Sequence, residues 1–183
     1  MNPSRFFFFL SLIFFAFFLL VFYQQNNPQN ITFANSAKVL SSNTINETTA
    51  PTGIIIPSIH VWLPVYNASV TNGNWETTNK GVSFLSGSAT VGGVGNAIFY
   101  GHDWPNLLGN LKNVLPGDTI QIISKTGEEF FYEVSTVQEV TPADVSVLAQ
   151  TVDSRVTIYT CSGFLDSKRL VVVALLKKIT DTL

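Results

Sequence analysis

The sequence predicts an all-β domain, a closed or nearly closed barrel, preceded by one apolar segment of membrane-spanning length. Between residues 54 and 176 about seven or eight short runs are rich in β-branched and aromatic residues. Turn-forming residues recur about every eight to twelve positions, and only short helical stretches lie between the runs. Residues 6–23 contain no charged side chain, and eighteen residues lie at the lower limit for crossing a bilayer.

The apolar segment at residues 6–23 is expected to be an uncleaved transmembrane anchor. Arg5 and the N-terminus precede it, and the next charge is Lys38. The positive-inside tendency therefore places residues 1–5 in the cytoplasm and the remainder of the chain outside a cell membrane crossed once. A small-residue site at residues 34–37 lies too far beyond the segment for a signal peptidase. A buried core helix is the alternative, but the segment has no polar face.

Two further regions follow the anchor. Residues 24–53 are dominated by Asn, Ser, Thr and Gln, so they predict a flexible stalk that buries too little apolar surface to fold. Residues 54–183 predict one folded domain of about 130 residues, which is enough for a core. The net charge is −2 and no Lys/Arg cluster is present, which excludes a nucleic-acid-binding class. With a single Cys, an intramolecular disulfide is excluded.

The first half of the domain predicts strands around a glycine-rich loop. Residues 54–66 form one edge strand or two short ones, because prolines interrupt them. The loop at residues 86–96 is followed by no helix and contains no GK[ST] sequence, so it is not a phosphate-binding loop. Residues 96–102 then predict a strand that ends at His102.

The second half predicts two short helices and four strands. Helical patterns cover residues 105–114, where apolar residues are spaced as on one helix face, and residues 142–149, which begin with Pro. The strands are expected at residues 119–124, 130–140, 157–161 and 169–175.

The last two predicted strands form a hairpin. The first of them ends at Cys161 and the second begins at Arg169. In an antiparallel pair the two ends of the connecting loop lie side by side, so the two residues reach one rim of the sheet. A thiolate is a nucleophile, and a nearby cation lowers a thiol pKa and stabilises developing negative charge. A charged His102 would stabilise the thiolate and protonate a leaving amine. These three residues predict a cysteine acyl-transfer site.

Structural interpretations of the same residues remain open at this point. A lone Cys is often a small buried hydrophobe, and a lone His or Arg can be structural or solvated. His60 competes with His102, and Arg155 competes with Arg169, although Arg155 precedes its strand at the end remote from Cys161. Asp103 is expected to point away from His102, because neighbouring strand residues face opposite sides.

A metal site is not expected. Two His and one Cys at spacings of 42 and 59 residues match no compact ligand pattern. No cofactor-binding motif stands beside them, so neither a metal nor a cofactor is predicted.

The motifs of this domain resemble those of the sortases, membrane-anchored cysteine transpeptidases of bacterial surfaces. Residues 157–161, TIYTC, are similar to the Thr-Leu-x-Thr-Cys strand of that family, with Ile in place of Leu. Arg169 and the following LVVVA resemble the arginine strand, and residues 95–102, GNAIFYGH, match the Gly-Asn…Gly-His segment. The resemblance covers residues 54–176.

The resemblance implies a closed eight-stranded sortase-type β-barrel and a transpeptidase, an acyltransferase with thiol-protease-like chemistry, acting on an LPxTG-like sorting signal of secreted proteins. Cys161 would attack the Thr–Gly carbonyl to form a thioacyl enzyme, Arg169 would hold the oxyanion, and His102 would protonate the departing amine. Thr160 is implied to contact substrate. A cell-wall precursor or a pilin lysine would be the amine acceptor. The calcium-binding acidic cluster of some family members is not evident, in keeping with the absence of a predicted metal.

Two other functions fit the same residues. One is a cysteine peptidase of this fold, a hydrolase with water as the acceptor. The other is a catalytically silent surface β-domain that binds peptides or partners, which the combination of His102, Cys161 and Arg169 disfavours. Asp103 and Trp104 stand where the family commonly has Arg or Thr, which leaves the subclass open.

Overall fold

The computed structural model describes residues 3–25, 31–33, 50–71 and 74–177. Part of the predicted cytoplasmic N-terminus and most of the predicted stalk lie outside the described residues.

One helix, α1 (Pro3–Gln25), precedes the domain. At about 1.5 Å per residue its 23 residues extend for about 35 Å, comparable with the hydrocarbon thickness of a bilayer. Its apolar window Arg5–Tyr23 is not buried against the rest of the protein. By length and composition the helix can cross a membrane, as expected for residues 6–23.

Eight strands close into a barrel in the order β1-β2-β5-β6-β9-β10-β8-β7, which confirms the predicted fold class. A separate two-stranded sheet is formed by the short strands β3 and β4. The bounds are β1 Pro51–Ile56, β2 Val61–Ala68, β3 Val70–Thr71, β4 Asn74–Trp75, β5 Val82–Leu85, β6 Gly95–Tyr100, β7 Thr119–Ser124, β8 Glu129–Val140, β9 Ser154–Ser162 and β10 Lys168–Leu176.

The barrel wall has two buried faces, because successive strand residues point to opposite sides. Every barrel strand contributes to an inner core that is mostly aliphatic; Val156 and Ile158 are its members from β9. The opposite face of β9 carries Tyr159 and Cys161, which belong to a second cluster. We call this the outer cluster. Its described buried members are Ile31, Phe33, Ala68, Trp75, Leu85, Ile98, Tyr100, Leu148, Tyr159, Cys161 and Val171.

The two segments predicted as helices form turns and short 3-10 helices instead. The first contains the 3-10 helix Gly109–Asn113. Leu108 and Gly109 donate their N–H groups to the carbonyls of His102 and Trp104, six and five residues earlier, so no regular α-helical ladder forms. A Cβ at Gly109 would lie 2.6 Å from the Asp103 carbonyl oxygen, so this close approach requires glycine.

The second predicted helical segment, residues 142–149, contains the 3-10 helix Val145–Leu148. The Asp144 carboxylate accepts a hydrogen bond from the Ser146 N–H at 3.2 Å, which caps this helix three residues after the predicted start. The single turn that follows places Leu148, which is fully buried, in the outer cluster.

Candidate active site

Cys161 and Arg169 are directly opposite each other on β9 and β10. The expectation that the two ends of this hairpin lie side by side is confirmed, although both strands are longer than predicted. Opposed residues of antiparallel strands have Cβ atoms about 4.5–5.5 Å apart and side chains on the same face. The sulfur and the guanidinium therefore share one site on the outer side of the barrel.

The guanidinium of Arg169 is buried and held from two sides. Nη1 donates to the carbonyl oxygens of Asp166 at 2.9 Å and Lys168 at 2.7 Å. Nη2 donates to the carbonyl oxygen of Thr32 at 2.9 Å. The connecting loop thus fixes one edge of the guanidinium, while the other edge binds a peptide carbonyl from a segment 137 residues earlier.

That segment, residues 31–33, lies across the outer cluster and is called the strap below. Ile31 is fully buried and Phe33 nearly so. The Phe33 ring packs edge-on against Tyr159, with centroids 4.8 Å apart. These residues were not expected to be buried, because they lie within the polar stretch predicted as a stalk. The one available signal was Phe33, the only aromatic residue of residues 24–53.

Burial keeps the Cys161 thiol protonated in this arrangement. Only 6% of the residue is exposed, and burial raises the pKa of the thiol to about 12. The charge of Arg169 lowers that pKa, as expected from the sequence, but the carboxylates of Asp166 and Asp103 oppose it and burial outweighs it. The sulfur is a neutral thiol while the strap is in place.

His102 lies two residues beyond the end of β6, next to the end of β9. β6 and β9 are parallel, with Tyr100 paired to Tyr159. The Gly101 N–H donates to the Tyr159 carbonyl at 3.3 Å, and the Thr160 hydroxyl donates to the Gly101 carbonyl at 2.7 Å. These bonds join the backbone before His102 to β9 within two residues of Cys161.

The imidazole of His102 stacks on the indole of Trp104, with ring centroids 4.6 Å apart and an angle of 13° between the planes. Burial lowers the pKa of His102, while the charges of Asp103 and Asp166 act in the opposite direction. Within the described part of the chain, no hydrogen bond joins this ring to Cys161. The described residues thus show a His102 whose pKa is lowered by burial, and no preformed hydrogen-bonded pair of this ring with the sulfur.

Two carboxylates were missed from the sequence. Asp103 was expected to point away from His102, yet it lines the same cleft as Cys161 and its charge raises the pKa of both His102 and Cys161. The alternation of side chains along a strand does not extend to Asp103, because β6 ends at Tyr100. Asp166, in the loop between β9 and β10, acts on the same two groups, and no sequence signal separated it from an ordinary turn residue.

Thr160 and the two competing residues have distinct positions. Thr160 lines the cleft, but its hydroxyl is used to join β9 to Gly101, so its contact with substrate stays a prediction. His60 packs against Trp62 beside β2, which is not a neighbour of β9. Arg155 pairs with Asp153 at the end of β9 opposite to Cys161. Of the two pairs of competing residues, only His102 and Arg169 therefore lie beside the end of β9 that carries Cys161.

No metal site is apparent in the described residues, which contain no group of three or more His, Cys, Asp or Glu side chains arranged to hold an ion. The charges of the Asp103 and Asp166 carboxylates raise the pKa of the Cys161 thiol.

The family model for the sortase domain matches residues 54–177. Sortase A of Bacillus anthracis is 32% identical over 129 residues, covering 66% of this chain and 56% of that protein, so the match spans little more than half of the relative's length. Among solved structures, a lid mutant of sortase A from Corynebacterium diphtheriae superposes with a TM-score of 0.61 and 30% identity, covering 73% of this chain and 72% of that one. Sortase C-1 from Actinomyces oris gives a TM-score of 0.59 at 29% identity, with coverage of 69% and 73%.

Proposed function

Since the chain belongs to the sortase family, we propose that it is a membrane-anchored cysteine transpeptidase. Its substrate is an LPxTG-like sorting signal of secreted proteins, and its second substrate is an amine, either of a cell-wall precursor or of a pilin lysine. The domain acts outside the membrane, and α1 anchors it with the N-terminus in the cytoplasm.

In the proposed reaction His102 takes the proton of the Cys161 thiol, and the resulting thiolate attacks the Thr–Gly carbonyl carbon and forms a C–S bond. The carbonyl oxygen takes up the electron pair and is held by the N–H donors of Arg169. Collapse of this intermediate breaks the C–N bond, and His102 supplies the proton to the leaving amine. An incoming amine then attacks the thioester, which restores the thiol and forms a new amide. Thr160 contacts the substrate backbone beside the nucleophile.

One observation carries this proposal. Arg169 is opposite Cys161 on the adjacent strand and already binds a peptide carbonyl, that of Thr32, at 2.9 Å. A guanidinium that donates a hydrogen bond to a peptide carbonyl next to a thiol is what an acyl-transfer site on a peptide requires. A silent structural pair needs no such contact with a distant segment.

The strap must move before a substrate carbonyl can take its place. Thr32 uses a donor of Arg169, and the strap residues Ile31 and Phe33 share the buried cluster of Cys161. Moving them would expose the sulfur to water, which removes the main cause of its raised pKa. We therefore propose that displacement of the strap and activation of the thiol are the same event.

The test is intact-mass spectrometry on the full chain in detergent, mixed with LPxTG-like peptides and either a glycine or a lysine amine. The proposal expects a thioacyl adduct that maps to Cys161, followed by a ligated product. Cys161→Ala is the matched control and should show neither. Adduct with only hydrolysed product would favour the peptidase alternative. No adduct with any peptide, from a chain that is folded by circular dichroism, would favour a silent binding domain.

A further inference from the structure

An exposed apolar side chain lies at the mouth of the candidate active site. Phe164 is 82% exposed in the loop between β9 and β10, three residues after Cys161. The loop holds two non-glycine residues in the left-handed region, Leu165 with φ 51° and Asp166 with φ 59°. The mechanism assigns no role to Phe164, although large exposed aromatic residues commonly mark an interaction surface.

The end of α1 meets the same loop. Phe22, in the last turn of the helix, lines a cleft together with Trp104 and Leu165. Trp104 is the residue that stacks on His102. The C-terminal end of the apolar helix therefore lies at the rim of the site and not at the opposite end of the barrel.

The length of chain between α1 and the strap gives an independent restraint. Five residues separate Gln25 from Ile31, so the helix end lies within about 20 Å of Ile31 whatever their conformation. Ile31 is buried in the cluster that contains Cys161. A helix that ends at the membrane surface thus holds this end of the barrel close to that surface.

We propose that the mouth of the active site rests on the lipid bilayer from which α1 emerges, with Phe164 inserted at the boundary between headgroups and acyl chains. Trp104 lies at headgroup level, where tryptophan is enriched in membrane proteins. Asp103 and Asp166 stand at the same rim, so anionic lipid is not required and zwitterionic lipid suffices. This inference rests on the proposed anchoring role of α1.

The proposal is tested by the depth of nitroxide labels on the full chain in phosphatidylcholine vesicles. Single cysteines are introduced in a Cys161→Ala background as Phe164→Cys, Val152→Cys and Ile13→Cys. Val152 is the matched control: it is apolar, 97% exposed, and two residues before β9, whereas Phe164 is two residues after it. The nine-residue strand separates the two labels by about 30 Å. Neither side chain is part of a core, so both variants should fold.

The measured quantity is the ratio of label relaxation by oxygen, which concentrates in lipid, to relaxation by a polar nickel complex, which stays in water. We expect a high ratio at position 13, a severalfold higher ratio at position 164 than at 152, and a water-like value at 152. A lipid value at 13 with equal ratios at 164 and 152 would overturn the membrane contact while leaving the anchor intact. A water-like value at 13 would remove the anchor itself and the inference with it. Peptide cleavage is not measured, so neither result depends on the catalytic proposal.

Discussion

The inner core and the outer cluster are built on the two faces of the same barrel wall, but they are closed in different ways. All eight strands supply the inner core, so it is sealed by the barrel itself. The outer cluster is covered by pieces from outside the barrel: the strap, Trp75 of β4 and Leu148 of the 3-10 helix. Cys161 and Arg169 lie on this second face. The proposed nucleophile thus lies on the barrel wall, and it is covered by segments that are not barrel strands.

The largest effect should come from removing the nucleophile on the outer face. Cys161→Ala is expected to abolish thioacyl formation, because no other thiol is present. The free energy of unfolding should change by about 1 kcal/mol or less, since only a small void remains. Intact mass and urea denaturation measure the two quantities. Retained turnover would show that Cys161 has only a structural role and that the outer face does not carry the chemistry.

Arg169→Lys should reduce kcat/KM by about 10²–10³, as when one oxyanion donor is lost. In Arg169 two different nitrogens bind the loop carbonyls of Asp166 and Lys168 and the peptide carbonyl, and the single nitrogen of an ammonium group cannot span both sides. Steady-state kinetics with the best peptide of the panel measures the loss. Rates equal to those of the unaltered chain would show that Arg169 only holds its loop in place and does not act in the reaction.

The inner core should respond in stability rather than in chemistry. Ile158→Ala, one strand position away from Tyr159, should lower the free energy of unfolding by about 2–5 kcal/mol, because Ile158 is fully buried inside a closed barrel that cannot collapse around the cavity. Urea denaturation measures this loss. At temperatures where the variant stays folded, the rate of adduct formation should remain close to that of the unaltered chain, and a large loss of rate would show that the two faces are coupled.

Phe33→Ala should loosen the cover and speed alkylation of Cys161. The thiol pKa of about 12 comes mainly from burial, so exposure lowers it, and each unit lowered raises the thiolate fraction near pH 8 about tenfold. The measurement is the rate of iodoacetamide modification between about pH 7 and pH 10. In the unaltered chain this rate should still be rising with pH at the upper end of that range. Phe130→Ala is the control, a deletion of the same side chain beside the inner core. Equal acceleration by both would point to general loosening of the fold.

The smallest expected effect is a difference in unfolding free energy between variants of two stacked tyrosines in the outer cluster. These are Tyr100 and Tyr159, whose ring centroids are 5.5 Å apart. The Tyr100 hydroxyl donates to the Glu76 carbonyl at 2.5 Å, whereas the buried Tyr159 hydroxyl has no partner among the described residues. Tyr100→Phe should cost about 1 kcal/mol of unfolding free energy, and Tyr159→Phe about zero. Paired urea denaturation curves decide this, and equal losses would mean that Tyr159 gains a hydrogen bond in solution.

Local patterns allowed most of the barrel to be predicted. β-branched runs and turn residues located the strands, and pairing across one short loop was enough to place Cys161 opposite Arg169. Contacts between segments that are far apart in the sequence could not be predicted from local patterns. The parallel pairing of β6 with β9 that brings His102 to the site joins positions 59 residues apart, and the strap owes its position to burial of Ile31 and Phe33 within a polar stretch. Asp103 was misplaced because alternation holds only as far as the strand continues.

The position of β10 in the barrel has a consequence for when the enzyme can first act. This strand follows the nine others in the described chain, yet it lies between β9 and β8, where it closes the barrel and supplies Arg169. A growing chain that has reached Ser162 already contains Cys161, but it has an open seam and lacks Arg169. The pair proposed to carry the reaction is therefore complete only once residues 168–176 enter the sheet. Before that step no guanidinium lies opposite the thiol, so a half-made chain could not complete the proposed transfer.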